Sequence, residues 1–141
     1  MKYKFPKIKQ NEDGNFGPTK NSNYYYPIHY HNKTAKDNPD KTKWCLKKNE
    51  QYEVFRLSDE SKWICDDNNG LFGILNDGNV LLGTSEERLS YFPKPTNEND
   101  DWHGFPVSSG EFEPSKKLVE KWHKDEIISY RMKIKILKGV I

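Results

Sequence analysis

Two dense turn signals, Asp66-Asp67-Asn68-Asn69-Gly70 and Asn76-Asp77-Gly78-Asn79, bracket the apolar run 71–75 and constrain it more than any other feature of the chain. Asx-Gly pairs supply the positive φ that tight reversals demand, so the apolar runs on either side of them are expected to pair antiparallel. The spacing predicts strands over 61–65, 71–75 and 80–82. A further strand is expected over 50–57, where Tyr52, Val54 and Arg56 alternate with Glu53, Phe55 and Leu57.

Around this hairpin unit the signals are more mixed. Residues 10–23 are turn formers almost throughout, which separates the leading segment 3–9 from the rest. The aromatic stretch 24–31 is extended in propensity, but Pro27 lacks the N–H a central strand needs, so it reads as an edge or irregular segment. Residues 32–43 are again loop-like. Thr84-Ser85-Glu86-Glu87 has capping-box spacing and predicts a short helix through Tyr91, stopped by Pro93 and Pro95. Gly104 and Pro106 bracket Phe105, which predicts a fixed loop laid over the core. Pro114 and Ser115 open a helix to about Lys124, with Leu118, Val119 and Trp122 on one side. In 127–141, Met132, Ile134 and Ile136 alternate with lysines and favour a strand, while Ser129 and Gly139 fit the caps of a helix.

The expected architecture is α+β: one domain over 1–141 with an antiparallel sheet of four to six strands, one main C-terminal helix and a loop-rich N-terminal arm. Within it, 1–43 is a basic arm, 44–83 the hairpin unit and 84–141 mixed helix and strand. Leu, Ile, Val and Phe supply only 30 of 141 residues, just above the roughly 20% below which highly charged chains stay disordered. The 19 aromatics offset this, because each buries a large area from a single position.

The formal net charge of +2 conceals a segregation along the chain. Residues 1–48 carry eleven lysines against four carboxylates, a balance of +7; residues 49–101 carry four bases against twelve carboxylates, −8; residues 102–141 carry eight bases against five acids, +3. Either the basic arm lies against the acidic middle or the surface is bipolar and steers a charged partner. No run reaches the ~18 apolar residues of a membrane span, and the first residues have no apolar stretch of signal-peptide length. A cytoplasmic location is expected, with Cys45 and Cys65 as free thiols.

The chemistry-bearing residues are sparse. His29-x-His31 with Cys45 and Cys65 lacks the paired short spacings of a structural zinc site, so no metal and no cofactor is expected. There is no Gly-x-Ser-x-Gly elbow, phosphate-cradling glycine loop or dinucleotide fingerprint. Three binding or catalytic arrangements remain. The acidic turns of the middle segment, Asp66, Asp67, Asp100 and Asp101, with Tyr91, Trp102 and Phe105 as aromatic anchors, fit an interface with another protein. Tyr24, Tyr25, Tyr26 and Tyr30 among Lys33, Lys36 and further lysines fit single-stranded nucleic acid, RNA above all. With only three arginines against twenty lysines, that binding would be weak and salt-sensitive. His29, His31 and His103 are the acid/base candidates if the chain is a metal-independent ribonuclease.

The function expected from this pattern is macromolecular binding without catalysis, by a bacterial or phage protein of an accessory, immunity or anti-defence inhibitor type. The alternative is an RNA-directed protein, a binder or a metal-independent ribonuclease, using the N-terminal Tyr/His/Lys segment.

Overall fold

Alternate residues of the middle strands point into two different cores, and this decides the architecture. The computed structural model describes residues 3–32 and 42–141. Strands β1 (Ile64–Cys65), β2 (Gly70–Gly73), β3 (Leu89–Pro93) and β4 (Phe105–Val107) form one antiparallel sheet in sequence order. The register sets Leu71 opposite Phe92 and Phe72 opposite Tyr91. Leu71 and Phe92 belong to a core shared with Phe16, Tyr25, Trp44, Tyr52 and Phe55. Phe72, Tyr91, Leu89 and Val107 belong to the other, shared with Leu118, Val119, Trp122 and Ile136. A sheet covered on both faces has near-continuous apolar strands, and β2 and β3 read that way.

One face is covered by helix α1 (Lys48–Glu60) and the N-terminal arm, the other by α2 (Lys116–Lys124) and α3 (Tyr130–Leu137). The chain is therefore α+β, with four strands and three helices among the described residues. The helix expected after Pro114 is α2, and the Ser115 hydroxyl caps it by accepting from the Leu118 N–H at 3.2 Å.

Several local expectations are corrected. Residues 50–57 lie in α1 rather than a strand. Gln51, Tyr52, Phe55, Ser58 and Asp59 are buried at helical spacing, and Arg56 bridges Glu53 and Glu60 at 2.6 and 2.7 Å, pairings that helical three- and four-residue steps allow. The Glu50 carboxylate accepts the Lys47 N–H at 2.8 Å and helps start the helix. The capping-box helix after Thr84 does not form. Glu86 has φ 68°, and the Leu82 N–H donates to the Glu87 carbonyl, making a turn that delivers the chain into β3. Residues 80–82 are not a sheet strand; the neighbouring Gly83 pairs with Trp44 in an isolated bridge. The turn at 76–79, a short 3-10 turn over Asn76–Gly78, does not close a hairpin, because β2 pairs with β3 only after an excursion.

The segment around Phe105 is an edge strand rather than a loop. Pro106, which has no N–H to give, sits there without cost to an inner ladder. Finally, the 127–141 segment forms a helix over Tyr130–Leu137 and not a strand. The Ser129 hydroxyl accepts from the Met132 N–H at 3.1 Å, Gly139 follows the helix with φ 69°, and Met132 and Ile136, one turn apart, face the core. The alternation of lysines with Met132, Ile134 and Ile136 leaves Ile134 on the opposite side of the helix from Ile136 and Met132.

Helix α1 lies tight against the sheet at Gly73. A Cβ on Gly73 would lie 2.7 Å from the hydroxyls of Ser58 and Ser90 and from Val54. Gly73, Ser58 and Ser90 together let the helix backbone settle on β2 and β3. Gly73→Ala is expected to destabilise the protein by about 1–3 kcal/mol through overpacking, read as a lower urea midpoint with an unchanged slope; wild-type stability would show that α1 does not sit on Gly73.

Candidate functional site

The N-terminal arm is fixed to the end of α1 by one buried carboxylate. Asp59 accepts the Thr19 hydroxyl at 2.5 Å and the Asn23 amide at 3.0 Å, while its carbonyl accepts the Asn21 amide at 2.9 Å. The Lys20 backbone N–H donates to Glu60 at 2.9 Å, and Asn15 donates to Asp101 at 3.3 Å. These links between the basic arm and the acidic middle come from neutral donors, not from lysine ammonium groups. Burying a carboxylate is tolerable only when its oxygens are hydrogen-bonded, and both oxygens of Asp59 are.

The docked arm leaves a cleft of about 450 Å³. Its walls come from the arm (Asn21, Asn23), the end of α1 (Asp59, Lys62), β1 (Ile64, Cys65), the β1–β2 turn (Asp66, Asn69), the residue after β3 (Lys94) and Trp102. The Lys94 N–H donates to the Asn69 carbonyl at 3.0 Å, so the β1–β2 turn and the start of the acidic 94–101 loop leave the sheet at the same end. Ile64 is 51% exposed beside this cleft, large for an isoleucine in a strand. Trp102 is half-buried, its ring tilted against Phe55 at 5.6 Å. An apolar floor with a few polar groups at fixed positions is the usual composition of a recognition pocket.

The predicted interface residues divide accordingly. Asp66 and Trp102 line this cleft. Asp67 is exposed on the same turn, Asp100 is exposed and accepts from Asn97, and Asp101 is half-buried against Asn15. Tyr91 and Phe105 lie elsewhere, in the core on the other face of the sheet. Tyr91 stacks on Phe112 at 5.4 Å and its hydroxyl donates to the Asn68 carbonyl, and Phe105 packs edge-on against Tyr91 at 5.9 Å. Burial raises the Tyr91 phenol above its ordinary pKa, and the Cys65 thiol adds to the rise.

Among the described residues predicted for nucleic acid, Tyr25 does not share a surface with Tyr24 and Tyr26. Tyr25 is fully buried and donates to Gln51 at 3.0 Å, and desolvation drives its phenol far above the ordinary range. Tyr24 and Tyr26 are exposed, as alternation along an extended segment requires. Tyr30 falls in a short 3-10 turn over His29–His31, and Lys33 and Lys36 lie outside the described residues.

The histidines likewise serve different places. His29 is exposed. His31 is buried, stacked on Phe105 at 4.9 Å, and its Nδ1–H donates to the Thr42 carbonyl at 2.6 Å, which fixes the tautomer. The Nδ1 atom of His103 is buried with no hydrogen-bond partner among the described residues, and desolvation lowers its pKa. Among the described residues no group of three His, Cys, Asp or Glu side chains is placed to hold a metal ion, and no helix is long and apolar enough to cross a membrane.

Sequence reasoning missed Asn21, Asn23, Ile64, Lys62 and Lys94 as cleft residues. The one signal available for Ile64 was an isoleucine between Trp63 and Cys65, both buried, in a strand whose alternation turns it outward. Set beside the models of known protein families, curated proteins and solved structures, the chain matches none.

The His103 environment predicts a pH effect. Its pKa is lowered in the folded state, so the unfolded chain takes up the proton more readily, and stability falls as pH drops through and below the ordinary histidine range. Chemical denaturation at pH 7.5 and 5.5 is expected to show a smaller acid-induced loss for His103→Gln than for wild type; equal losses would mean that His103 titrates freely.

Proposed function

We propose that the protein acts by binding a segment of another protein in the cleft between the N-terminal arm and β1, with the acidic turn at Asp66 and Asp67 steering the approach. The observation that carries this reading is the half-exposed Ile64 on the wall of a cleft that Trp102 also lines. Interfaces gain most of their energy from a few such anchors in a partly enclosed pocket, and little from rim charges. The arm's hydrogen bonds to Asp59 support the reading because a preformed wall loses little conformational freedom on binding. Asp66 and Asp67 contribute chiefly to association rate, as exposed charges do. An accessory or inhibitory role follows from binding in this way, without catalysis.

The RNA-directed reading has one observation on its side, the outward Tyr24 and Tyr26 rings, which could stack on bases. The two are separated by one set of variants. A photo-crosslinking amino acid at position 64 is expected to trap a discrete protein partner in cells, identifiable by mass spectrometry. Ile64→Asp and Trp102→Ala are expected to weaken its binding at least tenfold, and Asp66→Asn with Asp67→Asn to slow association in a salt-dependent way. Tyr24→Ala with Tyr26→Ala is expected to leave it unchanged. Binding that ignores the cleft variants but fails with the tyrosine pair, against labelled single-stranded RNA, would overturn the proposal.

A further inference from the structure

Helix α3 turns its apolar stripe away from the core. Successive residues are about 100° apart around a helix, so the buried Ile136 and the part-buried Met132 define an inward side. Tyr130, Ile134 and Leu137 fall together on the opposite side, at the i, i+4, i+7 spacing of an amphipathic stripe. Tyr130 is 64% and Leu137 43% exposed. The stripe is ringed by Arg131, Lys133 and Lys138, with Lys135 further round. Residues 127–141 contain no acidic side chain, and none of these four cations makes an ion pair among the described residues. Next to α3, α2 exposes Lys116, Lys117, Lys121 and Lys124 around a single Glu120; of these, Lys121 is paired with Asp125 at 2.9 Å.

We propose that this α2–α3 face docks peripherally on an anionic lipid surface, with Tyr130 and Leu137 entering the headgroup boundary and the surrounding cations meeting lipid phosphates and carboxylates. Interfacial helices combine an apolar stripe with Lys and Arg at its margins, and tyrosine is favoured at that depth because it has an apolar body and a polar tip. Long cationic side chains can lie along the apolar surface while their charges reach the headgroups. Nucleic acid would use the cations but leave Ile134 and Leu137 against a phosphate backbone, where they gain little. A folded protein partner would need carboxylates matched in position to four unpaired cations, whereas a fluid anionic surface supplies that match at any position. The inference is independent of the cleft, which lies among arm, α1, β1 and the 94–102 segment rather than on α2 or α3.

The test is sedimentation of the full chain with phosphatidylcholine vesicles and with mixed phosphatidylcholine–phosphatidylserine vesicles, at low and moderate salt. The expected result is binding to the anionic vesicles alone, weakened by salt. Lys133→Gln is expected to lose about fivefold in affinity, the effect of one cation near such a surface. Tyr130→Ser with Leu137→Ser is expected to lose at least as much, with an unchanged circular dichroism spectrum because both side chains point outward. No binding to anionic vesicles at low salt would overturn the proposal, as would binding unmoved by the double serine variant. Retention by labelled single-stranded RNA in place of vesicles would also overturn it.

Discussion

The structure depends on the two-sided burial of β2 and β3. Once Leu71 and Phe92 point one way and Phe72 and Tyr91 the other, neither face of the sheet can be left to solvent, and a chain with so few aliphatic residues has to find two covers. It does so with aromatics. Phe16, Tyr25, Trp44, Phe55 and Phe92 interlock on the arm side, with ring centroids 5.4 to 6.1 Å apart where Tyr25, Trp44 and Phe55 meet each other or Phe92. On the helical side, Trp63 meets Trp122 edge-on at 5.8 Å. Large rings cover area from few positions, but their polar atoms need partners. The Tyr25 hydroxyl finds Gln51 and the Trp44 indole N–H finds the Gly104 carbonyl at 3.1 Å, whereas Trp122 Nε1 has no partner among the described residues.

That demand explains why the arm is more than a loop. Phe16 and Tyr25 pair with each other through two backbone hydrogen bonds, and Tyr25 also bridges to Trp102. Thr19, Asn21 and Asn23 then fasten the intervening turn to the end of α1 through Asp59. The same fastening creates the cleft, so the proposed binding surface is a by-product of how the first face of the sheet is closed. The opposite face is closed by two short helices with little apolar surface to spare, and α3 nevertheless turns apolar groups outward. A protein poor in Leu, Ile and Val that exposes Tyr130, Leu137 and Ile64 is directing scarce groups to its surface.

The β1–β2 hairpin and α2 were legible because their signals were local. Asx-Gly turns and a proline–serine helix start act through φ and capping over a few residues. The failures came where tertiary packing overrode a local pattern. Residues 50–57 alternate as a strand would, but burial of Val54, Phe55 and Ser58 against the sheet needs helical period. In 84–87 the capping spacing was present, yet Glu87 is used to close a turn before β3. Of the candidate site, Asp66 and Trp102 were legible because acidic turns and an isolated tryptophan stand out in any sequence. The asparagines and Ile64 were not, since only the docking of the arm on Asp59, 36 to 40 residues away in sequence, brings them together. Tyr91 and Phe105 were read as anchors and are core, because sequence cannot say which side of a strand the helices will cover.

The N-terminal arm is a structural layer over the sheet and not a detachable tail. Native-state hydrogen exchange tests it most directly. The Phe16 and Tyr25 amides, each donating to the other's carbonyl at 2.8 and 2.9 Å, are predicted to exchange only through the same global opening that releases the Phe72 amide from the Trp63 carbonyl. Exchange of Phe16 and Tyr25 through a low-energy local opening, while Phe72 stays protected, would contradict it.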